Sequence, residues 1–287
     1  MLGHRRTRCD VTLAPHIDDP TNAYVIHPVA RALLPLAIRA RIHPNLVSVA
    51  GLGFAGLSGT AYYHWHDWRA VLLGFVLMCA WHVCDGLDGA LARATGTASA
   101  SGRLIDGVCD YLAFFAILIP IAVGFPDWGD KLTLCLTAGA AHAIQAMWYE
   151  GERDAWSRRA SGIFTVRPRA ATGHWIDAGH NAVERALGSR VRAIDGALAA
   201  EPALLPAYLA ASAPFVRALL PLSANGRTLA IPLFCLLGHA EWFWYWELIG
   251  LNLFGVVMAL LLRRTEARIV ARSAWVLGSD GLPARHR

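Results

Sequence analysis

Asp85–Asp110 reads DGLDGALARATGTASASGRLIDGVCD, four aspartates at fixed intervals within two otherwise apolar runs. As a pattern it is D-x2-D-G-x2-A-R-x8-G-x3-D-x3-D, filled by Asp85, Asp88, Gly89, Ala92, Arg93, Gly102, Asp106 and Asp110. On a helix, residues three or four apart share a face, so Asp85 stands over Asp88 and Asp106 over Asp110. Two carboxylate pairs then face each other.

Carboxylates near a bilayer are costly and four together repel, so such a site needs compensation, which a divalent cation gives. Hard oxygen donors at this density suit Mg2+ or Mn2+. Four shared carboxylates have the capacity for two ions about 3.5 to 4 Å apart, the geometry that activates phosphoryl centres. Gly89 and Ala92 leave a patch without bulky side chains where a nucleotide can approach the helix, and Arg93 offers a planar fork to phosphate oxygens. The intervening ATGTASAS is small and hydroxyl-rich. It reads as a tight loop in which Thr97 and Ser99 can hydrogen-bond a base or ribose, and Gly102 opens the next helix.

This stretch resembles the signature of the CDP-alcohol phosphotransferase family, matching each fixed position with the full spacing. The resemblance implies a membrane enzyme that moves a phosphate-linked group from a CDP-alcohol donor onto an alcohol acceptor and releases CMP. By position it implies that Asp85, Asp88 and Asp106 bind metal, and that Asp110 is metal ligand, general base, or both. A non-enzyme reading, an ion-coupled transporter, would also place acids in spans. It would more typically carry internal repeats and interrupted helices, and the sequence shows neither.

The rest of the chain frames that centre. Its 287 residues are 55% hydrophobic and 16% charged, with a mean hydropathy of +0.39. These values lie outside the soluble range and within that of polytopic membrane proteins. The N-terminal MLGHRRTRCDVTLAPHIDDP is polar and lacks the apolar core of a cleavable signal peptide. Six cysteines fall mostly within apolar runs without a C-x-x-C pair, and read as small core residues. The net charge of +5 does not point to nucleic acid, because the arginines cluster at the ends of apolar runs, where they read as topology signals and anionic-lipid contacts.

The expected fold is all-α: residues 1–22 a polar tail, 23–262 a membrane domain with a cytoplasmic insertion at about 151–226, and 263–287 a basic tail. From Ala23 to Arg41, Val25, Val29, Leu33 and Leu36 recur at helical spacing, which predicts an interfacial amphipathic helix kinked at Pro28 and Pro35. The family has such a helix before its first span. Six transmembrane helices are expected at about 45–64, 70–92, 103–124, 131–149, 227–244 and 245–262. The first opens on Asn45 and Ser48, where the family often carries P-N-x-x-T lining its nucleotide site; Ser48 keeps the hydroxyl of the usual threonine. The alternative for Asn45 is a simple helix cap. Gly51, Gly53 and Gly56 match G-x-G-x-x-G, but no strand precedes them, so they read as small packing residues.

With the N-terminus inside, only Arg69 and Lys131 of the 26 Lys+Arg fall outside. This count faces the Asp85–Asp110 loop to the cytoplasm, at the inner membrane if the source is bacterial. Within the insertion, Val183, Leu187, Val191, Ile194 and Leu198 predict an amphipathic helix near 177–199. Residues 204–222, interrupted by Pro206, Pro214 and Pro221, are expected on the membrane surface, with a seventh broken span as the alternative.

The motif leaves the substrate branch open: CDP-diacylglycerol with a small polar alcohol, CDP-choline or CDP-ethanolamine with a lipid alcohol, or two soluble alcohol phosphates. A six-span core resembles the first. His142, Gln145 and Tyr149 share one helical face, and with Glu150 they are acceptor candidates or else interhelical hydrogen-bonding and interface groups. His82, one turn before Asp85, reads as packing or support. The resemblance implies membrane lipids as partners, gives no role to nucleic acid, and leaves a homodimer open.

Overall fold

The computed structural model describes residues 17, 19–165 and 192–279. Among them all regular structure is helical. Three helical stretches among the described residues are long and apolar enough to cross a membrane: Trp68–Thr95, Ile105–Val123 and Trp242–Arg272. The chain divides into two compact units.

The first unit comprises Asp19–His142 and Ala224–Asn252. A π-helical turn, Asn22–Ile26, leads into α1 (His27–Arg39). There Pro28 sits in the first turn and the helix continues through Pro35. Ala30 and Ala37 on α1 are buried with Val47, Leu87 and Leu91, while Val25, Val29, Leu33 and Leu36 form the expected apolar stripe and are exposed.

Next come α2 (Pro44–Tyr63), α3 (Trp68–Thr95), α4 (Ala100–Val123) and the first part of α5 (Trp128–Ala160). Helix α2 packs against both α3 and α4. A β-carbon on Gly59 would lie 1.9 Å from the Ala116 carbonyl oxygen, so only glycine permits this approach of α2 to α4. Ser58 adds an interhelical hydrogen bond, donating to the Gly74 carbonyl at 2.7 Å. The G-x-G-x-x-G stretch lies inside α2, far from any strand–turn–helix context. Of its glycines, Gly51 packs tightly, 3.1 Å from the Cys84 β-carbon, whereas Gly53 and Gly56 meet nothing within 4 Å. The packing expectation therefore holds for Gly51 alone.

Helix α8 (Ala224–Leu236) and the short α9 (Trp242–Tyr245) complete this unit, followed by a π-helical segment, Trp246–Leu251. The expected helix over 227–244 is shorter than its apolar run. It stops at Leu236, and Gly238 takes a left-handed φ of 79°. Thirteen residues span about 20 Å, less than the roughly 30 Å hydrocarbon core of a bilayer.

The second unit comprises Ala143–Ser223 and Leu253–Arg287 with Met1–Asp18. Its described elements are the end of α5, α6 (Ala193–Ala200), α7 (Leu205–Ala218) and α10 (Asn252–Ser279). Ile17, Trp156, Ile194, Leu198, Tyr208, Leu209 and Val216 form its core. Of the helix expected at 177–199, only Ala193 onward is described; Val183, Leu187 and Val191 lie outside the described residues, as does most of the 1–22 tail. Helix α7 has fourteen residues, about 21 Å, too short for a single crossing of the membrane.

A buried ionic network replaces part of the apolar core here. Arg159, 0% exposed, donates from Nε and Nη2 to the two Asp195 carboxylate oxygens at 2.8 Å each, and from Nη1 to the Tyr208 hydroxyl at 2.9 Å. Arg158 Nη2 and the Arg192 backbone N–H also donate to Asp195, at 3.0 and 2.9 Å. Burial alone would push the Asp195 carboxyl up, but the hydrogen bonds and charge of Arg159 hold it below the usual carboxylate range.

Candidate metal and nucleotide site

The connection from α3 to α4 is built by its own sequence. Gly96, at φ 70°, ends α3 in the left-handed conformation that glycine adopts without strain, and the Thr97 N–H returns to the Ala92 carbonyl at 3.0 Å. Ser99 then caps α4, its hydroxyl accepting from the Gly102 N–H at 3.0 Å. On the facing helix, Pro44 occupies the first turn of α2 and His43 Nδ1 accepts from the Asn45 N–H at 3.2 Å. These three termini meet around one opening.

That opening is a cleft of about 550 Å3 lined by Asn45, Ser48, Gly89, Ala92, Arg93, Thr97, Ser99 and Gly102, together with His43, Pro44, Ala98, Asp88 and Asp106. The structure thus brings together every residue that the sequence offered for nucleotide contact. Arg93 folds back over Gly89, where an added β-carbon would sit 3.3 Å from its Nη1. The guanidinium lies along the wall of the cleft, close over position 89, where a side chain would make it shift.

At the inner end of the cleft, Asp85, Asp88 and Asp106 each place a carboxylate oxygen within 4.8 Å of the others. They line a recess with Ser48, Gly51, Trp81, Cys109 and Asp110. Asp88 is 4% exposed and accepts a short hydrogen bond from the Ser48 hydroxyl, which joins α2 to the acidic cluster. Asp110 lies in the recess but outside the mutually close group of three.

The donor set fits a divalent cation of the Mg2+ or Mn2+ kind: three carboxylates converge, and the Ser48 hydroxyl donates to one of them. Without a cation, the repulsion among converging, desolvated carboxylates would go uncompensated.

The acceptor candidates are placed differently. His142 does not line the cleft; its Nδ1 lies 3.2 Å from Glu247 Oε1, and Glu247 also accepts from the fully buried Arg227. Gln145 and Tyr149 are buried in the second unit, and Glu150 is exposed, 3.6 Å from Arg153. Behind the recess, His142 packs on Phe114 with ring centroids 4.2 Å apart, and Phe114 meets Trp81 edge-on at 5.1 Å. His82 is held by Thr228: the threonine hydroxyl donates to the Ala224 carbonyl at 3.0 Å, leaving its oxygen to accept from His82 Nε2 at 2.6 Å.

Sequence reasoning missed His43, Pro44 and Ala98 in the cleft, and Gly51, Trp81 and Cys109 in the recess. Spacing carried the signal for two of these: Trp81 lies one turn before Asp85, and Gly51 one turn after Ser48. Glu247 was also missed, although an acid inside an aromatic, apolar run calls for a partner such as Arg227.

Fold and site together define a class: among the described residues, an all-α architecture with helices fit to cross a membrane and a partly buried carboxylate cluster at the foot of a polar cleft. Residues 41–157 match the CDP-alcohol phosphatidyltransferase family model, so this part of the chain, which holds the cleft and the acidic cluster, is similar to that family. It is similar to an archaetidylinositol phosphate synthase of Pyrococcus horikoshii, 37% identical over 83 residues, 29% of this chain and 42% of the relative. It is also similar to a phosphatidylinositol phosphate synthase of Mycolicibacterium smegmatis, 33% identical over 94 residues, 31% of this chain and 37% of the relative. An uncharacterized protein of Aquifex aeolicus is 26% identical over 96 residues, 33% of this chain and 47% of that protein. The chain spans less than half the length of these relatives. No solved structure matches it.

Proposed function

We propose that this protein is a membrane transferase that moves a phosphatidyl-type group from CDP-diacylglycerol onto a small polar alcohol and releases CMP. The observation that carries the reading is the juxtaposition of three close carboxylates with a cleft lined by Asn45, Ser48, Gly89, Ala92, Arg93, Thr97, Ser99 and Gly102. In this reading the long apolar helices cross the membrane, α1 lies in the interface, and the cleft opens to the cytoplasm, as the cation distribution favours. The acceptor is an alcohol phosphate, in keeping with the names of the two synthases to which the chain is similar.

Asp85, Asp88 and Asp106 would hold Mg2+ or Mn2+, with Asp110 beside them. Bound there, two such ions supply charge neutralisation to the phosphate oxygens and Lewis acidity at the reacting phosphorus. The protein's own groups do the rest. Gly89 and Ala92 let the diphosphate approach α3, and Arg93 donates to its oxygens as a fork. Thr97, Ser99 and Asn45 offer hydrogen bonds to the cytidine. Asp110, in the recess but outside the close group, accepts the proton of the acceptor hydroxyl as the acceptor oxygen attacks the β-phosphorus. The bond from that phosphorus to the bridging oxygen breaks, and CMP leaves.

The test offers purified protein CDP-diacylglycerol, CDP-choline or CDP-ethanolamine with a panel of acceptors: inositol phosphate, glycerol phosphate, serine and diacylglycerol. The lipid product is identified by mass. CMP accompanied by a phosphatidyl alcohol phosphate supports the reading. A product made only from CDP-choline or CDP-ethanolamine, or no CMP with any pair, overturns it.

A further inference from the structure

The second unit carries a groove that the proposed reaction does not use. It has a volume of about 430 Å3, with Ile194, Ala267 and Val270 on its apolar wall and Arg192, Arg263 and Glu266 at its polar end. Arg192 is held there by Glu152, whose Oε2 accepts from Nη2 at 2.6 Å, and its Nη1 lies 3.4 Å from Glu266 Oε2. The Arg192 side chain is 7% exposed, and its Nε has no hydrogen-bond partner among the described residues.

Beside the groove runs a row of cations. Arg264, Arg268 and Arg272 are exposed and four residues apart on α10, so at roughly 3.6 residues per turn they form a strip bordering the face of Arg263, Ala267 and Val270. No described carboxylate forms an ion pair with any of the three. The strip forms the C-terminal end of the candidate span Trp242–Arg272, the position at which a membrane-crossing helix meets lipid headgroups.

We propose that this groove binds an anionic phospholipid, its phosphate on the Arg264 and Arg268 edge and part of an acyl chain along Ile194, Ala267 and Val270. The volume is that of a small-ligand site and not of a docking surface for a folded partner. Aliphatic walls offer no hydrogen bonds to a peptide backbone, whereas unpaired guanidinium groups complement a phosphodiester. The assignment is independent of the reaction proposed for the acidic cluster.

Native mass spectrometry of the full chain, released from phosphatidylcholine nanodiscs and titrated with short-chain phosphatidylglycerol or phosphatidylcholine, reads the site directly. Phosphatidylglycerol should be retained selectively. Arg264→Gln combined with Arg268→Gln should weaken that retention by roughly tenfold or more. Ala267→Trp, which fills the groove and leaves the charge unchanged, should weaken it as well. Equal retention of the two lipids, or variants that hold phosphatidylglycerol as the parent does, would overturn the proposal. Complete displacement by inorganic phosphate would also overturn it, by showing a headgroup site without a chain. A doubled mass without lipid that Ala267→Trp abolishes would assign the groove to a second copy of the chain instead.

Discussion

Replacing Asp195 by asparagine should loosen the second unit far more than a surface substitution does. Asp195 accepts from Arg159 Nε and Nη2 at 2.8 Å, from Arg158 Nη2 at 3.0 Å and from the Arg192 backbone at 2.9 Å. Asparagine keeps one acceptor oxygen and turns an N–H2 group toward donors, so the Arg159 fork loses at least one bond and all of its opposing charge at this position. Arg159 is 0% exposed, so water cannot compensate. Each charge-assisted bond contributes about 1.5 to 3 kcal/mol, and removing one partner of a buried pair costs about 3 to 5 kcal/mol. Hydrogen exchange in α6 and α7, followed by mass spectrometry on the full chain, should then accelerate by roughly two to three powers of ten. The control is Asp195→Leu with Arg159→Met, which removes both charges and should cost much less than the single change. An acceleration under tenfold for Asp195→Asn, or an equal loss in the double variant, would refute the reasoning. The sign with pH follows from a depressed carboxylate: its stabilisation is fully present above the unfolded pKa of about 3.9 and is lost as pH falls through the lower folded value. Pepsin cleavage between residues 192 and 218 should therefore distinguish wild type from Asp195→Asn near pH 4 and converge at lower pH.

Other outcomes bear on the packing and the site. Gly59→Ala places a methyl 1.9 Å from the Ala116 carbonyl and forces α2 from α4, so it should cost about 1 to 3 kcal/mol or more, read as a lowered Tm in detergent. Arg93→Lys keeps the charge but loses the fork, and kcat/KM for the CDP-alcohol should fall roughly 10- to 100-fold; an unchanged value would place the phosphates elsewhere. Asp110→Asn should retain Mn2+ binding and lose on the order of 10² to 10⁴ in turnover if Asp110 is the base, whereas parallel loss of metal affinity would make it a ligand instead.

The wall of the cleft formed by α3 and α4 could be read from sequence because its determinants are local, whereas Asn45 and Ser48 on α2 were placed by resemblance to a family motif. The interval from Asp85 to Asp110 contains two helix faces and the loop between them, and period alone puts Gly89 and Arg93 on one wall. The end of α8 was hidden for a related reason: the apolar run continues past Leu236, and only the backbone at Gly238 breaks it. His142 shows the limit more sharply. Its helical face left a ligand-binding role and an interhelical hydrogen bond both open, and the partner that realises the second, Glu247, is 105 residues away on a π-helical segment that spacing at the α-helical period does not anticipate. In the second unit, Asp195 and Arg159 are 36 residues apart, and neither lies on a motif that would have paired them.

The central claim is that Asp85, Asp88 and Asp106 form a metal-dependent phosphotransfer centre. The most direct measurement is CMP release from CDP-diacylglycerol by the full chain in detergent, with an alcohol phosphate acceptor, Mn2+ titrated from an EDTA-stripped state, and Mn2+ binding followed in parallel by electron paramagnetic resonance. CMP should appear only with the metal, and Asp88→Asn and Asp106→Asn should each abolish its release while weakening Mn2+ binding. Undiminished CMP release in EDTA, or variants that turn over like the parent, would contradict the account.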